Sequence, residues 1–478
     1  MLAFDRPLTV PRSGHGGSHP LFIAALLLAA LSPGNAHAED AATKPTWEVS
    51  PDSMLAAALR QIEGAPLTLD DAMKSALANA TAAKSAEALV RAARGSYRVE
   101  RGAFDPSLFA SWDRSSDDRL GASFLSGADT LKSDLSTLRG GLSLKLPIGT
   151  DITASLDLTK TESNSALAAL VPEYDASGAL RVRQPLLKGF GPSSSAPLRA
   201  ANEEYAGARE SYRDAIAALK TEVETTYWDL RASEQDLGVL YAIRDMAGAL
   251  LQEAKYRSAA GLVGPNQVAN ARVFLAQQVQ AAIDGEERLD QVSDQLATLM
   301  GRRPDAAARY SAASDPPADF ASPPEEEALA RANESSPELQ AAERRLRAAE
   351  VRARGARWDA LPALDLTGSL GGNGLTGRAH DIVFGGDTLR TTIDGGGSDA
   401  ISQALGRDFP SWSVGLSLSF PLGLRSERGD RERVEAERSR AEQSYVATRR
   451  SLEERVRAAC REVAHGRLRL DAAREGVD

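Results

Sequence analysis

Very few residues in this chain have the types and spacing to do chemistry. The run Gly372-Asn373-Gly374-Leu375-Thr376-Gly377 fits the G-x-G-x-x-G pattern of a dinucleotide loop. In such loops glycines let the backbone approach a pyrophosphate at a helix N-terminus, within a βαβ unit. Here the run continues into more Gly-rich sequence through Gly395-Gly396-Gly397, so it reads as an exposed loop. Of five histidines, His15, His19 and His37 fall in the first 38 residues, and His380 and His465 have no partner in sequence. Cys460 is the only cysteine, cannot form an internal disulfide, and reads as a small core or interface residue. The chain has no Walker lysine motif, no H-E-x-x-H and no C-x-x-C. No catalytic, cofactor or metal constellation emerges, and neither enzymatic activity nor a cofactor is expected.

Composition narrows the partners. Lys plus Arg number 56 against 66 Asp plus Glu, a formal charge of −10, where a nucleic-acid binder would show a basic domain or stripe. Aromatic residues make up 5% of the 478, and mean hydropathy is −0.29. No apolar run approaches the roughly 20 residues of a spanning helix. The longest, 21–31 (LFIAALLLAAL), comes after Arg6 and Arg12 and precedes Ala36-His37-Ala38. That is the pattern of a secretory signal cleaved after small residues, Ala36 and Ala38. Its removal takes away two arginines and one aspartate, so −10 becomes −11.

The elements that could position anything in this chain are long. After a lead-in over 39–66 with a short helix at 51–63, Thr68 and Asp71 resemble a capping box, and an Ala-rich helix is predicted over 69–101. Phe104-Asp105-Pro106 stops it, and the period falls to 2. Leu108, Ala110 and Trp112 alternate with polar residues, as do Leu142 to Leu146, Ile152 to Leu158, and Leu180 to Gln184. These read as strands with one apolar face, with an exposed polar loop over 114–137. A heptad-like seam then runs from Tyr205 through Leu219, Val223, Leu230 and Leu237 to Leu251, predicting one helix over 198–257, roughly 90 Å long. Gly261 and Gly264-Pro265 break it. A second helix over 266–300 repeats Val268, Leu275, Ala282, Leu289 and Leu296 every seven residues, so the two form an antiparallel hairpin. Residues 301–324, with five prolines, read as a linker.

The order then recurs: a helix over 325–357, alternation at Leu364 to Leu370, a Gly-rich loop over 371–410, a strand around Val414 to Phe420, and a helix from about 426. Asp105-Pro106 overlays Leu361-Pro362 at a shift of 256, and Ser211-Tyr212 overlays Ser444-Tyr445 at a shift of 233. Measured against 67–300, the second repeat (325–478) is expected to lack the counterpart of its last ~55 residues. Truncation is the expected reason, and a repeat that ends asymmetrically is the alternative.

This order resembles the TolC-like outer-membrane efflux protein family. The resemblance is carried by Leu67-Thr68-Leu69-Asp70-Asp71-Ala72, by Leu142 to Thr150 with Gln184-Pro185-Leu186-Leu187-Lys188-Gly189-Phe190-Gly191 after it, by Trp412 to Leu422, and by the tip Tyr256-Arg257 with Gly261-Leu262-Val263. It covers about 67–478. It implies a mostly α fold with a membrane β-barrel portion, and a homotrimer whose strands share one outer-membrane barrel and whose helices form a periplasmic α-barrel. The host would be a Gram-negative bacterium. The implied partners are outer-membrane lipid, a periplasmic adaptor and an inner-membrane pump of the RND or ABC type, in drug efflux or type I secretion, with passive conduction and no nucleic acid. The family's plan has two strands per repeat; four strand-like runs in the first repeat depart from it.

By the same resemblance Gly261, Leu262, Val263 and Gly264 form a tip where an adaptor docks, although a helix turn needs glycine in any case. Phe104, Phe109, Trp112, Trp358, Phe409, Trp412 and Phe420 gather near helix–strand borders, where an aromatic girdle would sit; packing in an ordinary β-domain is the alternative. Charges such as Glu203-Glu204 and Arg431 to Arg440 form a solvated face or line the conduit. A periplasmic coiled-coil scaffold or adaptor without a channel is the competing reading of the whole chain.

Overall fold

The computed structural model describes residues 51–121, 127–305, 309–317, 322–384 and 386–476. The signal-like segment with Ala36 and Ala38 lies outside them. The chain runs α1 (Pro51–Leu59), β1 (Ala65–Leu67), α2 (Leu69–Asn79), α3 (Thr81–Gly102), β2 (Ser107–Leu120), β3 (Thr130–Lys145), β4 (Asp151–Ser163) and β5 (Leu170–Pro185). Then come α4 (Pro192–Ala259), α5 (Pro265–Met300), β6 (Tyr310–Ala312), α6 (Glu325–Ser335) and α7 (Pro337–Asp359). It closes with β7 (Ala363–Ala379), β8 (Ile382–Phe384), β9 (Asp387–Leu389), α8 (Gly397–Gly406), β10 (Phe409–Ser419) and α9 (Arg425–Glu475).

Helix α4 has 68 residues, longer at both ends than its seam predicts, and at 1.5 Å per residue it spans roughly 100 Å. It is the spine of the molecule. Toward the strands it packs between α3 and α7, and α7 packs on α9, giving a wall of four helices. Toward its other end α4 pairs with α5 and receives α1 and α2. The seam buries as its spacing predicts: Leu219, Val223, Leu230 and Leu237 meet Leu289, Leu296 and Met300 in one core. Tyr227, off the seam, is fully buried as well, because its hydroxyl donates to the Leu67 carbonyl (2.9 Å) and accepts from the Ser314 N–H (2.8 Å).

Several expected boundaries change. The helix predicted over 69–101 is two helices broken at Ala80, which has extended ψ, and the helix predicted over 325–357 breaks at Ser336. These positions are 256 apart, so the break belongs to the repeat itself. In the second repeat it is written in local chemistry: the Ser336 hydroxyl caps the Leu339 N–H (3.4 Å), and Pro337 takes the first helical position, where no N–H is needed. The first repeat has neither signal. There the break lets α2 lie on α4 and α5 while α3 turns along α4.

The capping box at Thr68 forms half as predicted. Its hydroxyl accepts from the Asp71 N–H (3.1 Å) and donates to the Asp71 carboxylate (2.8 Å), so that carboxylate turns to the hydroxyl. The lead-in and linker also meet: β1 and β6 pair in parallel, Leu67 opposite Ala312. Glu234, buried on α4, accepts from the Ala312 N–H (3.0 Å) and lies 3.7 Å from Arg231.

The six remaining long strands form one antiparallel sheet in the order β10-β7-β5-β4-β3-β2. The loop predicted over 114–137 is corrected: β2 runs to Leu120 and β3 starts at Thr130, paired throughout, because alternate ladder hydrogen bonds sustain strands through polar sequence. The loop predicted over 371–410 is corrected too. It holds the end of β7, the β8–β9 hairpin and α8. Gly372 to Gly377 lies on β7, with no helix opening from it.

Candidate membrane surface and docking tip

The sheet sorts its residues by side. Reading across the register, one face carries Leu108 and Trp112 on β2, Leu138, Leu142 and Leu144 on β3, and Ile152, Leu156 and Leu158 on β4. The same row continues through Leu180 and Val182 on β5, Leu366 and Leu370 on β7, and Trp412, Val414, Leu416 and Leu418 on β10. All four named β10 residues are exposed, from 67% to 75%. A contiguous apolar face on this scale needs an apolar solvent or a partner.

The opposite face is polar and stitched across strands. Ser107 pairs with Ser143 (2.6 Å) and Ser369 with Ser413 (2.7 Å). Arg183 donates to both Asp151 (3.1 Å) and Asp365 (2.9 Å), and Arg139 pairs with Asp157. Alternation of this kind, apolar on one side and polar on the other, is what a membrane barrel requires of each strand.

The apolar row has an upper limit. Beyond Leu138 the same face carries Arg114 with Asp134 (4.0 Å), Lys132 with Asp118 (3.4 Å) and Lys160 with Glu162 (2.6 Å). At that limit lies α8, laid across β7, β5 and β4 on the apolar side. Its Ala400 and Ala404 are buried against Ala176. A Cβ at Gly374 would run into the Ala400 carbonyl and one at Gly372 into that of Ala404, so these two glycines make the seat for the helix. The Gln403 side chain accepts from the Leu375 N–H (3.0 Å), and Thr376 donates to the Gly396 carbonyl (2.8 Å). The sequence hides α8 because it is only ten residues long and the residues it buries are two alanines, Ala400 and Ala404.

The expected border aromatics fall into distinct places. Trp112 and Trp412 stand on the apolar face, 67% and 75% exposed. Phe109 lies on the polar face, its ring over Gly141, and Phe409 shares that parity at the outer end of β10. Phe104 and Phe420 sit just outside the strands at the helix end, the latter 49% exposed. Trp358 ends α7 and meets the Phe190 ring at 6.0 Å, just before α4.

The two stretches Leu142–Thr150 and Gln184–Gly191 touch. Gly149, at φ +96°, leaves room for the Gly189 carbonyl; Gly191 N–H donates to the Ile148 carbonyl (3.0 Å), and Thr150 donates to Gln184 (2.5 Å). The β3–β4 turn is thereby fixed to the segment that starts α4.

At the far end, Gly261 adopts φ +74° and Leu262 N–H reaches back to the Arg257 carbonyl (2.9 Å), closing α4 with a left-handed turn. Gly264 has ordinary φ −77° and opens α5. Nothing lies within 4 Å of a Cβ built at either glycine, and Leu262 is 73% exposed. Along the same hairpin Met246, Leu250, Phe274 and Ile283 are exposed. Among the described residues no helix is long and apolar enough to cross a membrane, and no cluster of His, Cys, Asp and Glu could hold a metal.

Together these features define a class: a subunit contributing strands to a membrane barrel and a helical wall that extends it. The comparisons agree. The outer membrane efflux protein family model matches residues 172–302 and 328–478, more than half of the chain, and the chain belongs to that family. It is thus an outer-membrane protein of a transport family with the TolC-like two-repeat fold. The fold is similar to the outer membrane protein VceC of Vibrio cholerae (TM-score 0.56, 15% identity, 85% of this chain and 81% of that one). It is also similar to a membrane protein from Pseudomonas aeruginosa (0.54, 20%, 85% and 77%) and to the CmeC channel of Campylobacter jejuni (0.53, 14%, 91% and 81%). No curated protein sequence matches.

Proposed function

We propose that three copies of this chain form a passive outer-membrane conduit that receives substrates from an inner-membrane pump, of the RND or ABC type, through a periplasmic adaptor. The observation that carries the reading is the continuity of the sheet with the helices. A sheet with one exposed apolar face feeds α4 and α9 directly, and α4 runs roughly 100 Å away from the membrane. Such a length reaches across a periplasm and has no use in a compact domain. Homotrimer formation is supported by the exposed apolar residues Met246, Leu250, Phe274 and Ile283 along the hairpin, which other copies would cover. Adaptor docking at Gly261, Leu262, Val263 and Gly264 is supported by the open space around the tip. Phe104, Phe109, Trp112, Trp358, Phe409, Trp412 and Phe420 are the proposed border aromatics, with Trp112 and Trp412 best placed for lipid.

Extraction of the outer-membrane fraction tests this. Heat-modifiable trimers that support efflux only together with an adaptor and pump are expected. Release of the whole chain by osmotic shock would leave the periplasmic scaffold reading in its place.

A further inference from the structure

We propose that the barrel built by this protein has eighteen strands, closed by pairing β10 of each copy with β2 of the next. The inference rests on the trimeric channel reading and goes beyond it in strand count and in the surface that joins the copies. Its basis is the order β10-β7-β5-β4-β3-β2, in which β3 and β4 are interior strands rather than a hairpin beside the sheet. Strand β3 is paired to β2 from Lys132 opposite Asp118 down to Ser143 opposite Ser107, and to β4 from Ser133 opposite Ser163 down to Lys145 opposite Asp151. Their apolar residues Leu138, Leu142, Leu156 and Leu158 lie in the same row as those of the neighbouring strands. The turn between them is tied to the segment leading into α4, at the helix end of the sheet.

Polarity identifies the occupant of the open edges. Strand β2 leaves the helix end at Ser107, and β10 arrives there at Ser419, so the two free edges run antiparallel when copies stand side by side. In hydrocarbon, unpaired N–H and C=O groups along an edge cost too much to persist, and only closure removes them. One copy supplies six strands, fewer than the eight of the smallest membrane barrels. With strands about 4.8 Å apart and tilted by about 40°, eighteen enclose a cylinder roughly 36 Å across, against roughly 24 Å for twelve. The outer opening is correspondingly wide, and β2 and β10 form the seam between subunits.

Single-particle cryo-electron microscopy of the full chain purified from outer membranes reads the count directly, and eighteen strands with three-fold symmetry are expected. Disulfide trapping adds a second readout in a Cys460→Ser background. Ser111→Cys on β2 is combined in turn with Ser411→Cys, Ser413→Cys or Ser417→Cys on β10, and at least one pair is expected to give covalent dimers and trimers. A three-fold barrel of twelve strands with 131–162 outside it overturns the proposal and leaves the channel reading standing. So does a two-fold barrel of twelve, or an intact oligomer in which no pair cross-links. A chain that forms no membrane oligomer overturns both.

Discussion

Single side chains carry some of the structure's sharpest consequences. Glu234 is buried on α4, and desolvation raises its carboxyl above the ordinary value of 4.5, only partly offset by the Ala312 N–H, Ser311 and Arg231. The folded chain therefore holds this proton more tightly than the unfolded chain does. The group's contribution to stability is full below the unfolded value and is lost as pH rises through the raised folded one. Glu234→Gln keeps an acceptor for the Ala312 N–H without the charge. Its melting temperature relative to the parent is expected to rise from about pH 4 to pH 8; an advantage that shrinks over that range contradicts the assignment. Tyr241 donates to Glu286 across the α4–α5 pair, and burial with that bond pushes its hydroxyl up to about 12. Tyr241→Phe is expected to cost about 1.5–3 kcal/mol, the range for a hydrogen bond to a charged group, measured by chemical denaturation. A change within about 0.5 kcal/mol, the scatter of neutral surface substitutions, would show that water replaces it freely.

At the scale of elements, turn glycines separate by duty. Gly261 is needed for a left-handed backbone, so replacing it confounds strain with docking. Gly264 has an ordinary φ and empty space around it. Gly264→Trp is expected to abolish efflux while heat-resistant oligomers persist, and full efflux by assembled Gly264→Trp would remove the tip from the docking proposal. The glycines of β7 have another task. Gly374→Val places a side chain where the Ala400 carbonyl lies, so α8 must lift from the sheet. Several-fold faster cleavage by external trypsin after Arg407, at the end of α8, is expected in intact cells. Unchanged cleavage would show that α8 is not held by this seat.

For the whole molecule, the proposed trimer would cover the exposed apolar residues of the lower hairpin and pair the two sheet edges. Ile283 on α5 is 59% exposed among the described residues. Ile283→Asp is expected to leave the single chain folded by circular dichroism and to lower the yield of heat-resistant trimer. Undiminished trimer would place the subunit contact elsewhere.

Sequence alone determined the long helices, the sidedness of the strands and the twofold repetition. Each of these is a periodicity of local side-chain chemistry: Leu219 to Leu251 at heptad spacing, Leu142 to Leu158 at spacing two. It also showed that no catalytic constellation is spelled out. Only the tertiary structure decided that β3 and β4 lie inside the sheet, that the polar ends of β2 and β3 remain strand, that Gly372 and Gly374 seat a helix, and that Glu234 is buried beneath a strand formed within the linker. These depend on hydrogen-bond ladders and close backbone approaches between segments far apart in sequence. A ladder sustains polar and apolar residues alike, and a glycine in a groove looks locally like a glycine in a loop. The break at Ala80 stands between the two cases: nothing around it marks a helix end, yet its repeat partner Ser336-Pro337 does.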